Sequence, residues 1–154
     1  MTKTYYFDTS ALIKLYVKET GSLWIKKIYD TFSQTITFTK IGIVEAAAAL
    51  ARRQRLSDIS QHDQRLLYIK MLRDANRRFR VFAVSDDVIY EAAALTQRYP
   101  LRGYDAVHLA AALEINRQFI INRLPSLTFV SADDKLSQSA IGEGLTTENP
   151  NNHL

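Results

Sequence analysis

The stretch Thr4–Val17 reads TYYFDTSALIKLYV. Its first half, Thr4–Asp8, is short, aromatic and β-prone, the pattern of a buried strand. Its second half, ALIKLYV, reads as a short helix capped by Thr9 or Ser10. A strand that passes so quickly into a helix is the start of a βα unit, and the rest of the chain repeats the alternation. Gly21 breaks the first helix, and a second follows over Ser22–Phe32, with Trp24, Ile28 and Phe32 on one face. Thr35–Thr39 is a second strand, followed by helices over Gly42–Arg55 and Ile59–Arg78. Arg80–Val84 is a third strand. Ser85 caps a fifth helix that stops before Pro100, and a sixth covers Gly103–Arg117. Ser126–Ser131 is a fourth strand, Asp133–Ala140 a seventh helix, and GLTTENP offers a short fifth strand. The expected fold is α/β, a parallel sheet with helices on both faces.

In open sheets of this kind, ligands bind beyond the carboxyl ends of the strands. Asp8 ends the first strand and Asp133 follows the fourth. Glu45 lies early in the helix after the second strand. Asp105 opens the sixth helix, which must finish near the amino end of the fourth strand, so its beginning is back at the carboxyl edge. Topology alone places Asp8, Glu45, Asp105 and Asp133 on one side of the molecule. Each aspartate also has a plainer reading: Asp8 could initiate a turn, and Asp105 and Asp133 could be helix caps or first-turn acids. Glu45 is harder to dismiss, because it interrupts the apolar, alanine-rich run IGIVEAAAAL, where an unpaired charge is costly. Four converging acids repel one another, and a bound divalent cation resolves that conflict.

Composition narrows the chemistry. The 154 residues fit one domain, expected over residues 1–150, with 151–154 as a frayed tail. With 47% hydrophobic residues a sizeable core can form. There is no cysteine and there are only three histidines, so zinc fingers, iron–sulfur clusters and thiol nucleophiles are excluded. Oxygen ligands favour a hard cation, Mg²⁺ or Mn²⁺. No G-x-G-x-x-G, Walker or G-x-S-x-G pattern is present. No apolar run approaches the roughly 18 residues of a membrane span. The start MTKTYYFDTS lacks the apolar stretch of a signal peptide, so a cytoplasmic protein without a membrane partner is expected.

Four segments in order, FDTSALIKLYV, IVEAAAAL, LRGYDAVHLAAAL and TFVSADDKL, resemble the sequential motifs of PIN-domain proteins. Within that family the chain is most similar to the VapC-type toxin ribonucleases of toxin–antitoxin pairs. The resemblance implies a three-layer sandwich whose five-stranded parallel sheet has the order 3-2-1-4-5, flanked by about seven helices. It implies an endoribonuclease dependent on Mg²⁺ or Mn²⁺, with Asp8, Glu45, Asp105 and Asp133 as the acidic site. Asp8, Asp105 and Asp133 would be the metal ligands, and Glu45 a ligand or a water-orienting base. Ser10 and Ser131 would be supporting hydroxyls. Arg102 and His108 are candidate substrate contacts, although a histidine at that helical position also packs readily inside a fold. The string Ser85–Asp87 reads as a plain helix start rather than a second acid pair.

The formal net charge is +4, but it is unevenly placed. Between Arg52 and Arg80 nine Lys and Arg residues face three acids. The cluster Arg52, Arg53, Arg55, Arg73, Arg77, Arg78 and Arg80 is expected to be an RNA or antitoxin patch, or else a solvated helical face. The long helical excursion that carries it is the expected surface for a homodimer and for a small antitoxin. Two other functions fit less well. One is a non-catalytic PIN-like module that binds RNA or protein. The other is an aspartate-based phosphatase of the haloacid dehalogenase type, whose D-x-D pattern would need an acid where Ser10 stands.

Overall fold

The computed structural model describes residues 2–154. Strands β1 (Thr4–Phe7), β2 (Thr35–Thr39), β3 (Arg80–Phe82), β4 (Thr128–Val130) and β5 (Thr146–Glu148) form one sheet in the order β3-β2-β1-β4-β5. Every pairing is parallel. The helices are α1 (Thr9–Leu12), α2 (Ser22–Asp30), α3 (Lys40–Arg55), α4 (Gln61–Arg77), α5 (Asp86–Arg98), α6 (Gly103–Ile121) and α7 (Asp134–Gly142).

The alternation of β1 divides the interior into two cores. Tyr5 and Phe7 point to one face and pack with Leu12, Ile25, Ile28, Leu50 and Met71 from α1–α4. Tyr6 points to the other and packs with Leu95, Leu109, Phe129 and Leu136, beneath α5–α7. Both faces of the sheet are thus covered, which is why its strands lack a clean polar face. On the first face Asp74 of α4 is buried, yet it accepts hydrogen bonds from Tyr16, Tyr29 and Lys70 and so ties α4 to the α1–α2 layer.

Local boundaries depart from the sequence reading where side chains compete for caps. Asp8, not Thr9 or Ser10, caps α1: its Oδ1 accepts from the Ala11 amide at 2.9 Å. The α1 helix is correspondingly short and continues as a 3-10 turn over Ile13–Leu15. The α2 helix ends at Asp30, and Phe32 is 83% exposed rather than part of an apolar face. The α6 helix runs on to Ile121 and buries Phe119. No glycine marks its end; Arg123 takes the left-handed conformation instead.

The C-terminal residues expected to fray form a 3-10 turn over Pro150–Asn152. His153 stacks flat on Trp24, with ring centroids 4.1 Å apart. Gly21 makes this docking feasible. Its φ is +86°, and a Cβ there would collide with the Pro150 carbonyl. Gly21→Ala is therefore expected to lower the unfolding free energy by about 2–4 kcal/mol, from left-handed strain plus the clash. Urea denaturation would measure it.

Candidate active site

Asp8 follows β1, and Ser131 follows β4, the next strand in the sheet, at the matching register position. Their side chains consequently meet: Ser131 Oγ donates to Asp8 Oδ2 at 2.6 Å. Ser10 Oγ donates to Oδ1 at 2.7 Å, alongside the Ala11 amide. Asp8 is buried, and none of these donors carries a charge. Burial pushes its carboxyl above the ordinary value of 3.8, against the opposing pull of Ser131, His108, Ser10 and the Ala11 amide. A second tie closes the loop after β4, where the Ala132 amide donates to Ser10 Oγ. The Asp133 amide donates to Ser131 Oγ. Asp133 itself caps α7, its Oδ1 accepting from the Lys135 and Leu136 amides.

Asp105 lies in the first turn of α6 and is half-buried. Burial raises its carboxyl, Arg102 lowers it, and the nearby Asp133 charge raises it again. Arg102 Nε stands 3.5 Å from Asp105 Oδ2, with its side chain 87% exposed. Two openings flank Asp105. One, of about 510 Å³, is lined by Glu45, Arg102, Tyr104 and Asp105. The other, of about 300 Å³, is lined by Arg102, Asp105, Asp133 and Lys135.

Glu45 sits in the second turn of α3, and its Oε1 is 2.6 Å from His108 Nε2. His108 is only 1% exposed, which removes it from the candidate substrate contacts: its ring faces inward, onto Glu45 and Tyr6. This pairing joins residues 63 apart in sequence, and no local pattern announces it.

The four acids thus occupy one edge, but they do not form a ready-made cage. Among the described residues, no group of three or more His, Asp or Glu side chains is close enough to hold a metal ion. Each acid is held by its own neighbours: Asp8 by hydroxyls, Asp133 by the start of α7, Glu45 by His108 and Asp105 by Arg102. The donor chemistry nevertheless suits a hard cation. All four are carboxylates, cysteine is absent, and both nitrogens of His108 are already engaged.

The arginine cluster divides. Arg53 is ion-paired with Glu19, which also takes Lys14 at 2.9 Å. Arg78 turns inward to backbone carbonyls. Neither belongs to an open basic patch, whereas Arg52, Arg55, Arg73, Arg77 and Arg80 are exposed. Ser85 Oγ accepts from the Val88 amide, so Asp86 and Asp87 are first-turn acids of α5.

The model of the PIN domain family matches residues 5–140. The chain belongs to the PIN domain family. This PIN domain is 32% identical over 117 residues to ribonuclease VapC45 of Mycobacterium tuberculosis strain CDC 1551 / Oshkosh, covering 71% of the chain and 75% of the relative. The same figures hold for ribonuclease VapC49 of strain ATCC 25618 / H37Rv. Among solved structures, the PIN domain shares its fold with a chain of a toxin–antitoxin complex from Klebsiella pneumoniae. That match has a TM-score of 0.57 at 18% identity, covering 95% of this chain and 97% of that one. Among the described residues, no helix is long and apolar enough to cross a membrane.

Proposed function

We propose that this PIN-domain protein is an endoribonuclease dependent on Mg²⁺ or Mn²⁺ and the toxin of a toxin–antitoxin pair. The observation that carries the reading is Asp8: a buried carboxylate with no lysine or arginine paired to it, held by uncharged donors at the carboxyl edge of a parallel sheet. Such a charge is costly unless a cation joins it, and the edge supplies further carboxylates at Asp105 and Asp133. Similarity to two proteins named ribonucleases supports the reaction class.

Asp8 and Asp105, with Asp133, would hold the cation, which supplies charge neutralisation at the phosphate and lowers the pKa of a water. The protein's own part is positional. The Ser10–Asp8–Ser131 network fixes one carboxylate in its buried place. Glu45 lines the larger opening and would orient the attacking water or accept its proton. Arg102, solvated and beside Asp105, would meet the substrate phosphate. The exposed arginines of α3 and α4 would attract RNA or an acidic antitoxin segment, and the same helical excursion would carry a homodimer contact.

The test is cleavage of a structured RNA with added Mg²⁺ or Mn²⁺. Fragments are expected with either ion and none in excess chelator, with activity restored on adding the metal back. Cleavage that persists in chelator, or its absence with both ions, would refute the reading. A small DNA-binding partner encoded next to this chain would support the toxin role.

A further inference from the structure

We propose that His108 is a positioning residue that locks Glu45 with one carboxylate oxygen turned to the reaction opening. The proposal rests on reading that opening as part of a nuclease centre. His108 projects from α6 into the space between β1 and α3, and three polar groups meet its ring. Tyr6 Oη is 2.8 Å from Nδ1, Glu45 Oε1 is 2.6 Å from Nε2, and Thr9 Oγ1 is 3.3 Å from Nε2.

The protons in this chain can be assigned from chemistry alone. An ionised carboxylate only accepts, so the short contact to Glu45 requires the hydrogen on Nε2. In a neutral ring Nδ1 is then an acceptor, and Tyr6 must donate to it. Burial drives the Tyr6 phenol well above its ordinary value, so it keeps the proton it needs to donate. A charged ring would reverse only the Tyr6 bond. In both states Nε2–H donates to Glu45, so the proposal does not depend on His108 changing its charge.

The ring has little freedom to turn. It meets Tyr6 edge-on, with centroids 5.9 Å apart. Tyr6 in turn lies flat on Phe129 at 5.5 Å. All three are buried in the core beneath α6. Rigid packing on two strands is thereby passed through one imidazole to a half-buried carboxylate on a third element. With Oε1 engaged, Oε2 is the oxygen available to the opening that Glu45 shares with Arg102 and Asp105. A buried histidine kept only for packing would be satisfied by any acceptor; this one ends on an acid that lines the site.

Glutamine can present its side-chain N–H close to where His108 Nε2 lies, whereas leucine cannot donate. His108→Leu should lower kcat by about 50-fold with the KM for RNA unchanged, and His108→Gln should recover most of that loss. In a Glu45→Gln background, His108→Leu should cost no more than about twofold, because the group it positions is already disabled. Equal losses in the Leu and Gln variants, or multiplicative losses in the double variant, would overturn the proposal.

A second arm needs no RNA. Long-range ¹H–¹⁵N spectra of the full chain should show hydrogen on Nε2 of His108, in a slowly exchanging resonance that moves on Glu45→Ala. Hydrogen on Nδ1 alone, or no response to Glu45→Ala, would overturn it. Wild-type protein that cuts no RNA would refute the nuclease reading separately, and the spectra would then decide whether His108 holds Glu45. Should His108→Leu fail to fold, the Glu45→Ala spectrum decides.

Discussion

Asp8→Asn is expected to reduce RNA cleavage by about a thousandfold or more while leaving the folded protein as stable as before. The two halves of that expectation have different causes. On the proposed reading catalysis would need the negative charge, because a cation held at this edge would have no deeper anchor than Asp8. The fold needs only the shape and the hydrogen bonds. Asparagine keeps an oxygen for Ser10 and the Ala11 amide, so the α1 cap survives. Its amide replaces Oδ2 and donates to Ser131 Oγ, which has lone pairs to accept it.

The charge itself opposes folding. An acid whose folded pKa lies above its unfolded value binds a proton more tightly in the native state. Its stabilising contribution is complete below about pH 3.8 and is lost as pH rises through the folded pKa. Ionising Asp8 is thus a net cost in the metal-free protein. The Tm of Asp8→Asn without metal is expected to equal or exceed the wild-type value. Added Mn²⁺ should raise the wild-type Tm but not that of the variant. Cleavage retained within tenfold, or a variant that melts well below wild type, would count against this account.

The fold was legible because each strand is short, apolar and followed at once by a helix, so alternation survives errors of several residues at the boundaries. The order of the strands needed the family resemblance; hydrophobic pattern alone does not say which strand lies in the middle. The positions of the four acids followed from a rule about strand ends, and that rule speaks of edges, not of contacts. The structure sets β1 and β4 side by side, and the hydrogen bond between Asp8 and Ser131 follows from their parallel register. The rule about strand ends is silent on the cap that Asp133 makes to α7, which the plainer reading of that residue allows, and on the pairing of Glu45 with His108, which nothing in the sequence suggests. Those choices belong to side-chain rotamers competing for local donors, and the sequence carries no periodic signal for them. Nor does it distinguish Arg53 from Arg52, although one is paired with Glu19 and the other is exposed.

Arg77 and Arg78 pose the same problem most sharply. They are adjacent, identical in type, and at the end of one helix, yet Arg78→Ala is expected to cost about 2–4 kcal/mol and Arg77→Ala less than about 0.5 kcal/mol. The difference lies in where the backbone aims them. Arg77 is the last residue of α4 and points to solvent. Arg78 is the next residue, and its guanidinium is directed back over the end of α2. There Nε donates to the Tyr29 carbonyl at 3.0 Å. The terminal nitrogen Nη2 reaches the carbonyls of Ile28, Thr31 and Gln34 at 3.2–3.3 Å. The same group lies over the rings of Tyr29 and Phe32. One planar fork thus gathers the carbonyls where α2 ends, adding a second donor to those of Ile28 and Thr31, and steadies the turn that leads into β2. Truncation would take the donor from the half-buried Tyr29 carbonyl and the second donor from the Ile28 and Thr31 carbonyls, which the Thr31 and Gln34 amides already serve, and would expose more of Phe32. Lysine, a single point donor, cannot span four carbonyls, so Arg78→Lys should recover less than half of the loss. Chemical denaturation of the three variants would settle the matter. A small loss for Arg78→Ala, equal to that for Arg77→Ala, would mean that the fork contributes nothing to stability and would return Arg78 to the basic surface. If the expected difference is found, charge-reversal experiments on the α3–α4 surface should use Arg52, Arg55, Arg73 and Arg77, because a change at Arg78 would report on unfolding rather than on binding.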